Sequence, residues 1–412
     1  MQKEVPIDAT EPLPEGRCKV LILGANVGSG HMRAAHAVAK ALSGITPSPE
    51  VRVEDLLERG SPLFCFLYRT TYLFLARRFP RLLDRLYGWS DPMPRWLALL
   101  LPRIDRLAFR TFLRELAEDP PDLILSTHFL PLEILSSDRP KGLLRTPLWG
   151  VVTDLHPHGI WLWPGVSHYV VSDEAAERTV RQKRTGQTLS VSTAGIPVDP
   201  EFSVPPIRGD LREKMGLPER NTVLLLSGGE GLDDLVSLLD SFAGFPGELT
   251  LIAIAGKNRR LLRACERWAG RHQSRWLAVR VHGFVKNMPE MMGVADVVVT
   301  KPGGMTLFEA LALGRPLVLL PARGGQEAIN RRWAVDTGAA VPSDQPRRTG
   351  SLVRALFEDP DRLREMALAA CRAGRPEASI LIAREVVGSL CYDVNSEGGF
   401  HADNPLPVGL HL

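Results

Sequence analysis

Apolar, often β-branched runs of four to six residues alternate with stretches of helical spacing along most of the chain. The first is Lys19-Val20-Leu21-Ile22-Leu23, followed by a Gly-rich turn and an alanine-rich helix from Arg33 to Leu42. A run that is apolar at successive positions suits a parallel strand buried on both faces, and its succession with helices is βαβ grammar. Val51 to Val53, Leu123 to Ser126, Leu148 to Val152 and His168 to Val171 continue the first series. After Pro197-Val198-Asp199-Pro200 and the Pro205-Pro206 pair the order restarts, with Thr222 to Leu226, Leu249 to Ile254, Val279 to Val281, Val297 to Val299 and Leu317 to Leu320. The pattern predicts an α/β chain of two doubly wound, Rossmann-like domains, 19–200 and 201–385. Residues 1–18 and 386–412 are expected to be tails, the second because Asn395 to Leu412 is rich in Gly, Pro, Asn and His without periodicity.

Composition narrows the classes. The 412 residues, 44% hydrophobic and 24% charged, suffice for two cores, and a net charge of +3 is too small to imply a nucleic-acid partner. Five cysteines lack CxxC spacing, which argues against a zinc site or a disulfide framework and for a reducing, cytoplasmic compartment. The acidic, proline-containing start does not resemble a secretory signal, and no apolar run reaches the roughly 18 residues of a membrane span. One region stands apart. Ser61 to Leu116 holds ten arginines, a net charge of +6, interleaved with Phe64, Phe66, Tyr68, Tyr72, Phe74, Phe79, Tyr87, Trp89 and Trp96. That mixture suits a helical face on an anionic membrane, each cation contributing about 1 kcal/mol; equally, the aromatics suit a core with the arginines as a solvated face.

Chemistry concentrates at two turns. Lys301-Pro302-Gly303-Gly304-Met305-Thr306 lies between a strand and a helix, followed by Glu309 and then by Gly325-Gln326-Glu327 and Asn330. First-turn N–H groups there have no intrahelical partner, and glycines allow a diphosphate close to the backbone; Glu309 is placed to accept from a ribose diol. A Gly-Gly corner that serves only packing is the plainer reading, weakened by the polar residues around it. The second turn, Gly24-Ala25-Asn26-Val27-Gly28-Ser29-Gly30-His31, lacks the dinucleotide GxGxxG spacing, although Glu54-Asp55 stands where a ribose-binding acid is expected. His31 at a helix N-terminus has its cation disfavoured by the dipole, which keeps the imidazole neutral, as a general base requires.

With three further marks the chain resembles the monogalactosyldiacylglycerol synthase and processive diacylglycerol glycosyltransferase family, from about Lys19 to Leu381. The marks are Gly28 to His31 with Ala34-Ala35-His36-Ala37-Val38; Val152-Thr153-Asp154, His158, Trp161 and Pro164-Gly165-Val166, with Thr193 to Pro200; and Ser227-Gly228-Gly229, Gly283-Phe284-Val285, Lys301 to Thr306, Glu309, Gln326, Glu327 and Asn330. The resemblance implies a glycosyltransferase B architecture, two domains facing a cleft, with inversion at the anomeric carbon. It implies that His31 takes the proton from the acceptor hydroxyl, with Gly28, Gly30, His128, Asp154 and His158 on the acceptor side. Gly228, Gly229, Gly303, Gly304, Met305, Thr306 and Asn330 would serve the UDP-hexose, Phe284 and Val285 the uracil, Glu309 the ribose, and Gln326 with Glu327 the sugar hydroxyls. No cofactor and no active-site metal are expected. The acceptor would be a lipid, most simply diacylglycerol, reached by an enzyme bound peripherally to the inner face of a membrane through Ser61 to Leu116.

Other readings compete. The same fold serves UDP-N-acetylhexosamine transferases and 2-epimerases, and a catalytically inactive nucleotide-sugar sensor would keep the turn but not need His31. Asp154, His156 and His158 lack a further ligand at matching spacing for a metal. Asp359-Pro360-Asp361 is expected to cap a helix, His36 to pack along one, and His128 either to face the acceptor cleft or to cap a turn.

Overall fold

The computed structural model describes residues 18–395 except 28, 47, 79–90, 92–101, 104, 137–144, 185–188, 229–234 and 323–324. Within them lie two six-stranded, all-parallel sheets. The first uses β1 (Lys19–Gly24), β2 (Glu50–Asp55), β3 (Leu123–Ser126), β4 (Leu148–Val151), β5 (His168–Val170) and β6 (Ser190–Ser192), in the order β2-β1-β3-β4-β5-β6. The second uses β7 (Asn221–Leu226), β8 (Leu249–Ile254), β9 (Leu277–His282), β10 (Val297–Thr300), β11 (Leu317–Leu319) and β12 (Ala340–Pro342), in the order β12-β11-β10-β7-β8-β9. The chain reverses direction across each sheet once, between β1 and β3 and between β7 and β10, which opens a crevice at the strands' C-terminal ends.

The helices are α1 (Ser29–Ser43), α2 (Pro62–Arg78), α3 (Arg110–Glu118), α4 (Phe129–Ser136), α5 (Glu174–Lys183), α6 (Arg208–Met215), α7 (Leu235–Asp240), α8 (Arg259–His272), α9 (Met288–Gly293), α10 (Gly304–Ala312), α11 (Gly325–Asp336), α12 (Thr349–Phe357), α13 (Pro360–Ala373) and α14 (Ala378–Asn395). Asp359 caps α13, its carboxylate accepting from Arg362 N at 3.1 Å with Pro360 at the first helical position, as expected. β6 and β12 escape the sequence pattern because each is three residues long and lies at a sheet edge. Four apolar clusters form the interior, and one of them joins Ala34, Leu155 and Ile196 of the first half to Met305, Leu307 and Phe308 of the second.

Residues 386–395, expected to belong to the C-terminal tail, are helical. α14 continues to Asn395 and returns to the first domain, where Ile382, Ala383, Val386 and Leu390 pack with Val20, Ala35, Val38 and Leu42. Their i, i+1, i+4, i+8 spacing makes the buried stripe. The 201–385 boundary therefore gives way to a C-terminal helix that straps the two domains together; residues 1–17 and 396–412 lie outside the described residues.

Of the basic and aromatic region, α2 is half core and half surface. Phe64 stacks on Tyr68 and meets Phe109 edge-on at 5.5 Å, inside the first domain's core. Leu63 and Phe66 are 70% and 65% exposed, with Leu67 and Leu107 exposed beside them. Arg69 is drawn to Asp55 at 2.7 Å. Among the described residues no helix is long and apolar enough to cross a membrane. The side chains of Tyr72, Phe74, Phe79, Tyr87, Trp89 and Trp96 lie outside the described ones.

Candidate active site

The first crevice is built around His31. β1 ends at Gly24, and α1 brings the imidazole beside the end of β3, so the ring sits where the strand order reverses. Its Nδ1 is 2.9 Å from the Thr127 carbonyl and 2.9 Å from Thr153 Oγ1. A carbonyl oxygen only accepts, so Nδ1 carries the proton and Nε2 is the basic nitrogen of the neutral ring. Thr127 also donates its hydroxyl to the His31 carbonyl at 2.9 Å, tethering backbone and ring to one residue. Burial lowers the His31 pKa below the ordinary imidazole value, opposed by the charge of Asp154 and the bond to Thr127. Asp154 in turn is pushed up by burial and held down chiefly by His31 and by the Trp161 indole, whose Nε1 donates to its Oδ2 at 2.9 Å.

The other residues expected on the acceptor side divide. His128 is buried with its ring edge-on to His31 at 4.6 Å, and its Nδ1 accepts from Leu130 N at 3.1 Å at the start of α4. It thus both caps and lines, with its pKa driven far below the ordinary value by burial and by His31. His158 is buried and accepts from Ile160 N at 3.1 Å, capping the short turn Gly159–Trp161. Gly28 lies outside the described residues. His36 does not pack along α1 as expected; it is exposed, because the helix turns that position to solvent. Asp55 accepts from Asn26 N and Leu57 N and pairs with Arg69, so it closes a turn rather than facing a ribose.

The second crevice is a backbone site. Gly303 occupies the N-cap of α10 with no side-chain cap, leaving the first-turn amides of Gly304, Met305 and Thr306 at the helix's positive end. Asn330 is buried and donates to the Pro302 carbonyl at 3.1 Å, which holds the turn from behind. Gly228 follows β7 with φ of 75°, a left-handed conformation that favours glycine, and a side-chain carbon there would lie 3.5 Å from Lys301 Cε. Lys301 reaches over the turn and pairs with Glu327 at 3.0 Å. Phe284 is 58% exposed after β9, two strands from the β7/β10 crevice, and Val285 packs on the core. Gly229 lies outside the described residues.

The crevices face each other at close range. A side-chain carbon at Gly30 would stand 3.4 Å from Met305 Cγ, and one at Gly304 would stand 3.7 Å from the Thr153 carbonyl. Gln326 Nε2 donates to the His156 carbonyl at 3.4 Å, and Arg33 of α1 pairs with Glu309 of α10. The His31 imidazole on one rim therefore opposes a helix end on the other. Sequence reasoning placed Thr153, Trp161 and Lys301 in motifs without giving them roles, and it missed Thr127 and Arg33, whose importance depends on which residue they meet.

Residues 31–198 match the monogalactosyldiacylglycerol (MGDG) synthase family, and residues 222–379 match the glycosyltransferase family 28 C-terminal domain. A probable MGDG synthase of Nicotiana tabacum is 32% identical over 89% of this chain and 70% of its own length. The chain belongs to the MGDG synthase family. A processive diacylglycerol beta-glucosyltransferase of Bacillus pumilus is 29% identical over 84% of this chain and 89% of its own length. Among solved structures, Anabaena HepE in complex with UDP aligns over 90% of this chain and 99% of its own, with a TM-score of 0.52 and 17% identity, a likeness of fold. The MGDG synthase family member described here is a glycosyltransferase with the glycosyltransferase B fold expected from its sequence.

Proposed function

We propose that the enzyme transfers a hexose from a UDP-hexose to the free hydroxyl of a lipid, diacylglycerol, with inversion at the anomeric carbon. The observation that carries the reading is the pinning of His31 Nδ1 by the Thr127 carbonyl, which leaves Nε2 as a base in a crevice that opposes the α10 turn. Nε2 takes the proton of the acceptor hydroxyl as its oxygen forms the bond to C1. The bond from C1 to the UDP oxygen breaks on the opposite side. Asp154 offsets the imidazolium charge as it forms, while the amides of Gly304, Met305 and Thr306 and the Lys301 ammonium receive the diphosphate charge. Glu309 serves the ribose, Gln326 and Glu327 the sugar hydroxyls, and the Gly283-Phe284-Val285 turn the uracil, without an active-site metal. The names of the Nicotiana and Bacillus relatives, a synthase and a transferase of diacylglycerol, support the acceptor, and the UDP held by HepE supports the donor.

The exposed Leu63, Phe66, Leu67 and Leu107 beside arginines of the first domain support peripheral docking on the inner, anionic face of a membrane. The deciding experiment incubates the protein with labelled UDP-glucose, UDP-galactose or UDP-N-acetylglucosamine, with and without diacylglycerol vesicles, and reads the anomeric configuration of any glycolipid by NMR. A β-linked product from one donor is expected. An α-linked product, or sugar release that ignores the lipid, contradicts the reading. In the same assay His31→Ala loses about 10²- to 10⁴-fold in turnover with UDP affinity retained.

A further inference from the structure

Glu309 has two oxygens with different fates. The residue is 3% exposed; Oε1 accepts from Arg33 Nη2, whereas Oε2 is buried and has no hydrogen-bond partner among the described residues. Arg33 does not belong to the donor domain. It lies on α1 of the other domain, two residues beyond His31, so one half-buried ion pair, Glu309 covered and Arg33 partly open to solvent, ties the helix of the base to the helix of the diphosphate turn. We infer that Arg33 is a positioning residue that couples occupancy of the nucleotide site to the alignment of His31, an inference that rests on the reading of the α10 turn as that site.

Three features of the contact carry the coupling. A buried polar atom left unpaired is costly, and Glu309 Oε2 regains a partner when a ligand hydroxyl donates to it, without displacing Arg33 from Oε1. The Arg33 guanidinium meanwhile is the counter-charge that the structure sets against the buried Glu309 carboxylate. Finally, the surrounding contact is close: Gly30 meets Met305 and Gly304 meets the Thr153 carbonyl, so a shift of Arg33 is transmitted along α1 to the ring. Asp199 also lies within electrostatic reach of Arg33 and supplies a second negative charge beside it. The exposed pairs of Lys40 with Asp199 and Glu201 lie further along α1 and do not reach α10.

The test compares Arg33→Met, Arg33→Lys, Glu309→Gln and the Arg33→Met/Glu309→Gln double variant, with UDP as the probe in calorimetry and donor and acceptor kinetics alongside. Arg33→Met is expected to raise the UDP dissociation constant and donor KM about tenfold and to lower kcat by a similar factor, with acceptor KM unchanged. Arg33→Lys, which keeps the charge, should restore both to within about threefold of the parent, a rescue that a purely space-filling role does not give. The double variant should lose no more than either single one. A folded Arg33→Met protein with parental UDP affinity and kcat overturns the coupling, as does Lys behaving like Met, or losses that add in the double variant. If the parent protein itself does not bind UDP, the nucleotide-site reading falls and takes the coupling with it; parental binding with an indifferent Arg33→Met overturns the coupling alone.

Discussion

The two crevices occupy the same place in two sheets of the same kind, yet they are made of different material. At the β1/β3 reversal the group proposed to act is a side chain, and its surroundings are side chains and one carbonyl that fix its tautomer, its orientation and its pKa: Thr127, His128, Thr153, and Asp154 braced by Trp161. At the β7/β10 reversal the working groups are backbone amides, and glycines keep the approach clear while Asn330 holds the turn from behind. Proton transfer needs a group whose basicity is set by neighbours. Charge stabilisation needs aligned dipoles that are already in place, which a helix end supplies without any side chain. Under the proposed transfer, one fold serves both halves of a displacement by varying what fills the switch point.

Substitutions that separate the two crevices sharpen that contrast. Below the loss set for His31→Ala, the largest effect is expected from Gly304→Val, which puts a branched side chain between the α10 amides and the Thr153 carbonyl. Donor KM should rise by more than about tenfold, with a smaller change in kcat, and steady-state kinetics at saturating acceptor measure it. Asp154→Asn should act on the other crevice. Its carboxylate raises the His31 pKa, so removing the charge lowers that pKa further and moves the acid limb of the kcat/KM profile to lower pH. The imidazolium formed during transfer also loses its counter-charge, for about a tenfold fall in kcat, or ~1.4 kcal/mol. UDP affinity should not move, because Asp154 lies outside the Arg33–Glu309 link, and a weakened affinity would show that Asp154 also acts on the donor turn.

The smallest effect is one of stability away from both. Glu133 of α4 is buried against Asp105, and burial together with that neighbour pushes its carboxyl up to about 8. Asp105 is raised as well, to about 6, by burial. A carboxyl whose folded pKa exceeds its unfolded value stabilises the fold fully at low pH and loses that contribution as pH rises through the folded value. Thermal melts of the parent should therefore fall between about pH 4 and 8, from the ordinary carboxyl values to the raised ones, and Glu133→Gln should flatten the fall. Equal slopes in the two proteins would contradict the assignment.

Much of this was legible in the sequence for a physical reason. A parallel strand buried on both faces is apolar at every position, so β1, β3, β7, β8 and β10 stand out as runs, and the glycine turns after β1 and β10 mark the two crevices. What escaped was short, edge-on or dependent on distant partners. β6 and β12 have three residues each. α14 carries a clear apolar stripe, but no local signal says that it returns to the first domain. Thr127 matters for its carbonyl, which every residue has, and Arg33 matters for Glu309, which lies 276 positions away. Asp55 shows the complementary case: it stands where a ribose-binding acid would, but nearby backbone N–H groups and Arg69 take its carboxylate, in keeping with the missing dinucleotide spacing.

The central claim is that His31 presents an unprotonated Nε2 toward the donor turn because Thr127 holds the proton on Nδ1. Nitrogen-15 NMR of histidine-labelled protein saturated with UDP, followed through a pH titration, tests it most directly. The account predicts a neutral ring protonated on Nδ1 with a bare Nε2, and a midpoint below the ordinary imidazole value of 6.5. A neutral ring protonated on Nε2, or a midpoint at or above that value, would contradict it.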